Sequence, residues 1–214
     1  MPVPALPTVT RPDAWTVVVR ERAVGDEDPA RAGDAVVAGW DARDWPPRLL
    51  SRTCLRSVTG NTLLEYEQWS QSPEEDHSAQ GRHAPDPTRP GTGYQLYRSS
   101  ATSLRQPTGC VVAVMVDLGH TDPVAARKWV DEMVDGTSEH GTDHDQPLPG
   151  LVAAHFHVGL DGSRILNYAE WTSPEAHRSA IPGPDSDDPR ATGAGRPGVR
   201  VIRFLPHAQR ESRP

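Results

Sequence analysis

The sequence predicts an α+β protein made of two tandem ferredoxin-like (βαββαβ) domains, residues 12–105 and 108–207, packed sheet to sheet as an intrachain pseudo-dimer. Three observations predict it. Leu64-Glu65-Tyr66-Glu67-Gln68-Trp69-Ser70 resembles Leu166-Asn167-Tyr168-Ala169-Glu170-Trp171-Thr172 at an offset of 102, with Gly60 meeting Gly162. Upstream, Asp28-Pro29 meets Asp122-Pro123 at an offset of 94, along with Val17-Val18-Val19 and Val111-Val112-Ala113. Third, each copy carries a Pro/Gly-rich loop and then a short strand: Gly81–Gly93 before Tyr94–Ser99, and Pro182–Gly198 before Val199–Leu205.

Taken in order, Trp15–Glu21 and Val111–Asp117 are β-branched runs and hence strands. Asp-Pro then opens a helix, with Asp as N-cap and Pro in the first turn. In the second copy Val124, Trp129, Val130, Met133 and Val134 give that helix an apolar stripe. The polar stretch 136–147 accounts for the change of offset. A hairpin follows, Leu151–Gly159 and Arg164–Trp171 around an Asp161-Gly162 turn. Ser72-Pro73-Glu74 and Ser173-Pro174-Glu175 start a second helix in each copy. A last strand closes each unit. One sheet with helices on one face leaves its other face to be covered, which the sister copy does.

Composition narrows the function. The net charge of -7 and the lack of a basic stripe argue against nucleic acid. Two cysteines, Cys54 and Cys110, make no disulfide framework and fit a cytoplasmic protein. The start Met1-Pro2-Val3-Pro4 does not read as a signal peptide, and no apolar run is long enough for a membrane helix. No glycine-rich nucleotide loop and no standard zinc or calcium spacing is present. His140, Asp143, His144 and Asp145 crowd one polar loop and read as solvated. His155 and His157 share a strand face and read as buried, not as metal ligands.

With Asp161-Gly162 as the turn, Phe156 faces Asn167, Ala154 faces Ala169 and Val152 faces Trp171. Alternation then puts these six on one face, and His155, His157, Leu166 and Tyr168 on the other. Asn167 and Trp171 project together over the small Ala169, two hydrogen-bonding groups on an apolar wall that suits a flat aromatic ligand. Trp129 and Met133 on the helix would complete it. The ordinary alternative is core packing for Trp171 and a local backbone contact for Asn167. In the first copy Trp69 is kept, Glu65 replaces Asn167 and Cys54 replaces Phe156. Glu65 and Glu67 could act as a base there, or the first site is degenerate and serves as scaffold.

The run Asn167-Tyr168-Ala169-Glu170-Trp171-Thr172-Ser173-Pro174-Glu175-Ala176-His177 resembles the signature of the antibiotic biosynthesis monooxygenases, whose dimers form α+β barrels. The resemblance implies oxidation of an aromatic polyketide of anthrone or phenol type to a quinone, with molecular oxygen and no metal, flavin or haem. It implies that Asn167 and Trp171 hold the substrate's oxygens. His177 stands where the family often has a tyrosine, and is the candidate acid–base. A cyclase or an accessory binding protein is the alternative use of such a scaffold. Haem degradation, known in relatives, needs an asparagine on the first strand that Val111–Val116 lacks. The chain is expected to be a monomer with its internal pseudo-dimer, or a homodimer.

Overall fold

The computed structural model describes residues 6–70, 91–102, 106–139, 148–181 and 197–212. The helix start at Ser72-Pro73-Glu74, the cluster of His140, Asp143, His144 and Asp145, and most of both Pro/Gly-rich loops lie outside them. The chain forms two compact units, Met1–Gln95 with Phe204–Pro214, and Leu96–Arg203.

The first unit contains β1 (Thr16–Ala23), α1 (Pro29–Asp41), β2 (Leu49–Ser57) and β3 (Thr62–Trp69). β4 (Thr92–Ala101) and β8 (Val199–Glu211) each contribute residues to both units. In this unit β4 pairs with β1 through Thr92–Tyr94, and β8 pairs with β2 through Phe204–Glu211. The strand order is β4-β1-β3-β2-β8, so its own four strands follow the ferredoxin-like order. Asp28 caps α1 by accepting from the Arg31 N–H at 2.9 Å, with Pro29 in the first turn, as the sequence requires. α1 buries Ala32, Val36 and Trp40 against Cys54 and Leu63 of the sheet.

The second unit contains β5 (Cys110–Asp117), α2 (Pro123–Glu139), β6 (Leu151–Gly159), β7 (Arg164–Trp171) and α3 (Pro174–Ala180). Its order, β8-β5-β7-β6-β4, repeats that of the first. The Asp122 carboxylate caps α2 through the Val124 and Ala125 N–H groups. The hairpin strands run as the sequence predicts, with Phe156 opposite Asn167 and Ala154 opposite Ala169.

Three expectations need correction. Val152 does not face Trp171. Leu151 does, and a bulge between Leu151 and Ala153 leaves Val152 as the extra residue. The hairpin tip is not a two-residue turn: Gly162 donates to the Gly159 carbonyl, which puts Leu160 and Asp161 at the corner and Gly162 at φ +73°. On α2, Val124 and Met133 are 73% and 42% exposed, so neither belongs to the buried stripe. That stripe is Ala126 and Val130, one turn apart, with Val134 partly buried another turn on. Ala126 is too small to stand out in the sequence as an anchor.

The two units share more than element order. The bulge at Leu151/Ala153 recurs at Leu49/Ser51, again opposite a tryptophan, Trp69. The turn Gly159–Gly162 recurs as Ser57–Gly60, with Gly60 at φ +78°. In both, the tip glycine sits against the proline that opens the first helix, Pro29 or Pro123.

Candidate active site

The site forms on the helix-facing side of the second unit's sheet. Val112, Ala154, Phe156, Ala169 and Trp171 are buried there with Ala126 and Val130 of α2. Trp129 and Leu151 pack against them, partly buried. Alternation along β7 brings Asn167 and Trp171 to this apolar wall together.

Among the described residues, neither side chain has a partner for one of its polar atoms. The Asn167 Oδ1 and Trp171 Nε1 atoms are buried without a hydrogen bond. A buried polar atom left unsatisfied costs about 1–3 kcal/mol, so an ordinary core would not retain two on one wall. Three indole N–H groups of the first unit do find acceptors. Trp40 Nε1 donates to Glu65 at 3.2 Å, Trp45 Nε1 to the Leu49 carbonyl at 2.6 Å, and Trp69 Nε1 to Glu67 at 3.3 Å.

α3 delivers the third group. The Ser173 side chain accepts from the Ala176 N–H at 3.1 Å, Pro174 occupies the first turn and Glu175 meets the positive end of the helix. This start brings the buried His177 back over the preceding strand, its ring edge-on to the Trp171 indole at 4.8 Å and 80°. Arg203 Nε donates to His177 Nδ1 at 3.0 Å. Burial first, then the Arg203 and Arg178 charges, push the imidazole down to about 4. The ring is therefore neutral at pH 7. With Nδ1 accepting from Arg203, its proton sits on Nε2. His177 is thus a hydrogen-bond donor with a low pKa, not the near-neutral acid–base group its unperturbed chemistry suggests.

No family model matches the chain. The tetracenomycin-F1 monooxygenase of Streptomyces glaucescens is 34% identical over 59 residues, 28% of this chain and 49% of that protein, so the match spans about half its length. The solved structure of an anthrone oxidase-like protein has the same fold, with a TM-score of 0.66 at 13% identity over 93% of each chain. The chain is thus similar in sequence, over that stretch, to a tetracenomycin monooxygenase, and in fold to an anthrone oxidase-like protein. A putative monooxygenase from Fusobacterium nucleatum subsp. nucleatum also shares the fold, with a TM-score of 0.51 at 8% identity over 93% of this chain and 95% of its own.

Asn167, Trp171 and His177 gather with Ala154, Phe156, Ala169 and the half-buried Trp129 in one unit. Val152, in the bulge, and the exposed Met133 stand apart from the wall. Glu65 and Trp69 occupy the matching positions in the first unit, where both are buried. Arg203 is the group that sequence reading missed. Its contact with His177 spans 26 positions, and only an arginine within the apolar run Val201–Leu205 hinted at it. His155 and His157 lie on the opposite face. His155 pairs there with Ser99 at 2.9 Å, and among the described residues no three ligand-type side chains converge to hold a metal ion. No helix among the described residues is long and apolar enough to cross a membrane.

Proposed function

We propose that the second unit is a cofactor-independent monooxygenase site that oxidises an electron-rich aromatic polyketide, of anthrone or phenol type, to a quinone. The carrying observation is the pair of unsatisfied buried atoms, Asn167 Oδ1 and Trp171 Nε1, on an otherwise apolar wall. One offers an acceptor and the other a donor, the complement of a hydroxyl and a carbonyl oxygen on a flat ring. The match to a tetracenomycin monooxygenase supports the same class of substrate.

The chemistry needs little more than binding. The substrate gives up a proton to solvent water and becomes a phenolate or enolate; that proton is returned when the peroxide loses water. That anion passes one electron to molecular oxygen, and the radical pair joins at carbon as a peroxide. Loss of water leaves the new carbonyl, so one oxygen atom enters the product and the other leaves as water. The Trp171 N–H stabilises the oxyanion in a site already organised for it, and such a donor is typically worth about 10²–10³ in rate. The His177 Nε2–H is a second donor beside it. The site itself supplies no metal, flavin or haem in this scheme.

The tandem duplication belongs to the same proposal. The shared bulge, hairpin tip and helix opening, at the offsets read from sequence, support descent of both units from one.

The test is incubation with anthrone and oxygen in metal-free buffer, followed by product mass and oxygen uptake. The expected product has gained one oxygen and lost two hydrogens. Asn167→Ala and Trp171→Phe should each lower turnover at least about tenfold. Unchanged turnover in both removes the assigned site. Substrate consumption without oxygen uptake would favour a cyclase on the same scaffold.

A further inference from the structure

The first unit carries a counterpart of this site, and the two differ in what stands in front of the tryptophan. The two hairpins share register and bulge, so residues correspond at the offset of 102: Trp69 with Trp171, Glu67 with Ala169, Glu65 with Asn167, and Arg52 with Ala154. Glu67 lies two positions before Trp69 and projects from the same face. Its Oε2 lies 3.3 Å from the Trp69 indole nitrogen and 2.6 Å from Arg20 Nη1, and its Oε1 accepts from Arg52 Nε at 3.0 Å. The Glu67 side chain is 4% exposed, and the two arginine side chains are 13% and 14% exposed. Here the oxygen in front of the tryptophan is the chain's own, and its charge is matched by two half-buried guanidinium groups.

In the second unit the same register holds a methyl group. Ala169 pairs with Val112 and Ala154, and the indole N–H beyond it has no acceptor among the described residues. At the offset of 94, Arg20 gives way to Val114, so neither guanidinium has an equivalent. A localised full charge at Ala169 would meet neither of those guanidinium groups, and Arg203 already donates its Nε–H to His177 Nδ1, so the charge would be desolvated at a cost of several kcal/mol.

We propose that Glu67 is a built-in ligand that permanently fills the first site. Ala169, by its size, then leaves the second site open to one external oxygen-bearing aromatic per chain. This rests on the reading that the second unit binds a flat aromatic. It adds a selectivity: phenol, ketone or delocalised phenolate oxygens are accepted, and carboxylates are not.

The test uses an unreactive probe, 1,8-dihydroxyanthraquinone, with native mass spectrometry for stoichiometry and indole fluorescence quenching for affinity. The full chain should bind one probe. Ala169→Glu and Ala169→Leu, which fill the site with a charged and an apolar group, should each weaken binding at least tenfold while keeping the wild-type circular dichroism spectrum. An anthraquinone carboxylate should bind at least tenfold more weakly than the dihydroxy probe. Two probes per chain, no probe at all, undiminished binding by a folded Ala169 variant, or equal binding of the carboxylate would each overturn the inference. Should the variants not fold, stoichiometry and carboxylate discrimination in the wild type still decide it. Because the probe cannot be oxidised, binding without turnover of anthrone refutes the oxygenase reading alone. Turnover with two bound probes refutes this inference alone.

Discussion

At the scale of single residues, the Arg203–His177 contact controls a protonation state. The guanidinium donates to Nδ1 and, after burial, is the next cause holding the imidazole down to about 4. Replacing Arg203 with methionine keeps the apolar stem and removes that charge. The His177 pKa should rise toward the ordinary value, by less than the whole shift because burial and Arg178 persist. An NMR titration of the ring protons would show it, and an unmoved midpoint would refute the contact. The same substitution frees Nδ1 to hold the proton, so it should also change the pH profile of turnover. The sequence made Asn167 and Trp171 legible because strand alternation is a local rule. It could not reveal Arg203, whose partner is fixed by tertiary packing between β8 and α3.

At the scale of elements, the hairpin tips join each sheet to its first helix. Gly162 sits at φ +73°, and a Cβ there would run into the Pro123 backbone. Gly119 has a similar φ of +70° with open space around its would-be Cβ. Gly119→Ala should therefore cost only the left-handed backbone term, about 1–2 kcal/mol. Gly162→Ala adds a steric displacement of α2 and should cost clearly more, on the order of 3 kcal/mol or above. Urea unfolding of the two variants checks the ranking, and equal losses would mean that the tip does not dock on the helix start. The hairpin register was legible because one face had to be apolar. The bulge was not, since nothing in Leu151-Val152-Ala153 distinguishes an extra residue from an ordinary one. The α2 stripe was half legible for a related reason: large apolar residues attract notice, yet the buried line runs through Ala126 and Val130 and passes by Met133.

At the scale of the whole molecule, the order of strands and helices was the most readable feature, because Leu64–Ser70 and Leu166–Thr172 could be read against each other. What stayed hidden was that β4 and β8 are long enough, at 10 and 13 residues, for each to lend residues to both units. Strand length past the closing pair depends on pairing partners far away in sequence.

The same burial that shapes the site sets how the protein responds to acid. His157 is fully buried, its Nδ1 3.1 Å from the His155 carbonyl oxygen, and burial followed by His155 pushes it down to about 4. His177 is likewise down to about 4. Both folded values lie below the unfolded value of about 6.5, so between them the unfolded chain binds more protons. Stability is therefore fully present above about pH 6.5 and is lost as pH falls toward about 4, with on the order of 3 kcal/mol at stake for the fully buried His157 and less for His177. Carboxylates held low, such as Asp161 and Asp135, add their losses at still lower pH, outside that window. Urea titrations at about pH 7.5, 5.5 and 4.5 should show the midpoint falling steadily. His157→Leu removes one of the two titrating groups, so its midpoint should fall less steeply than that of the wild type, even if it starts lower. Parallel slopes in the two proteins would mean that His157 is already protonated in the folded state.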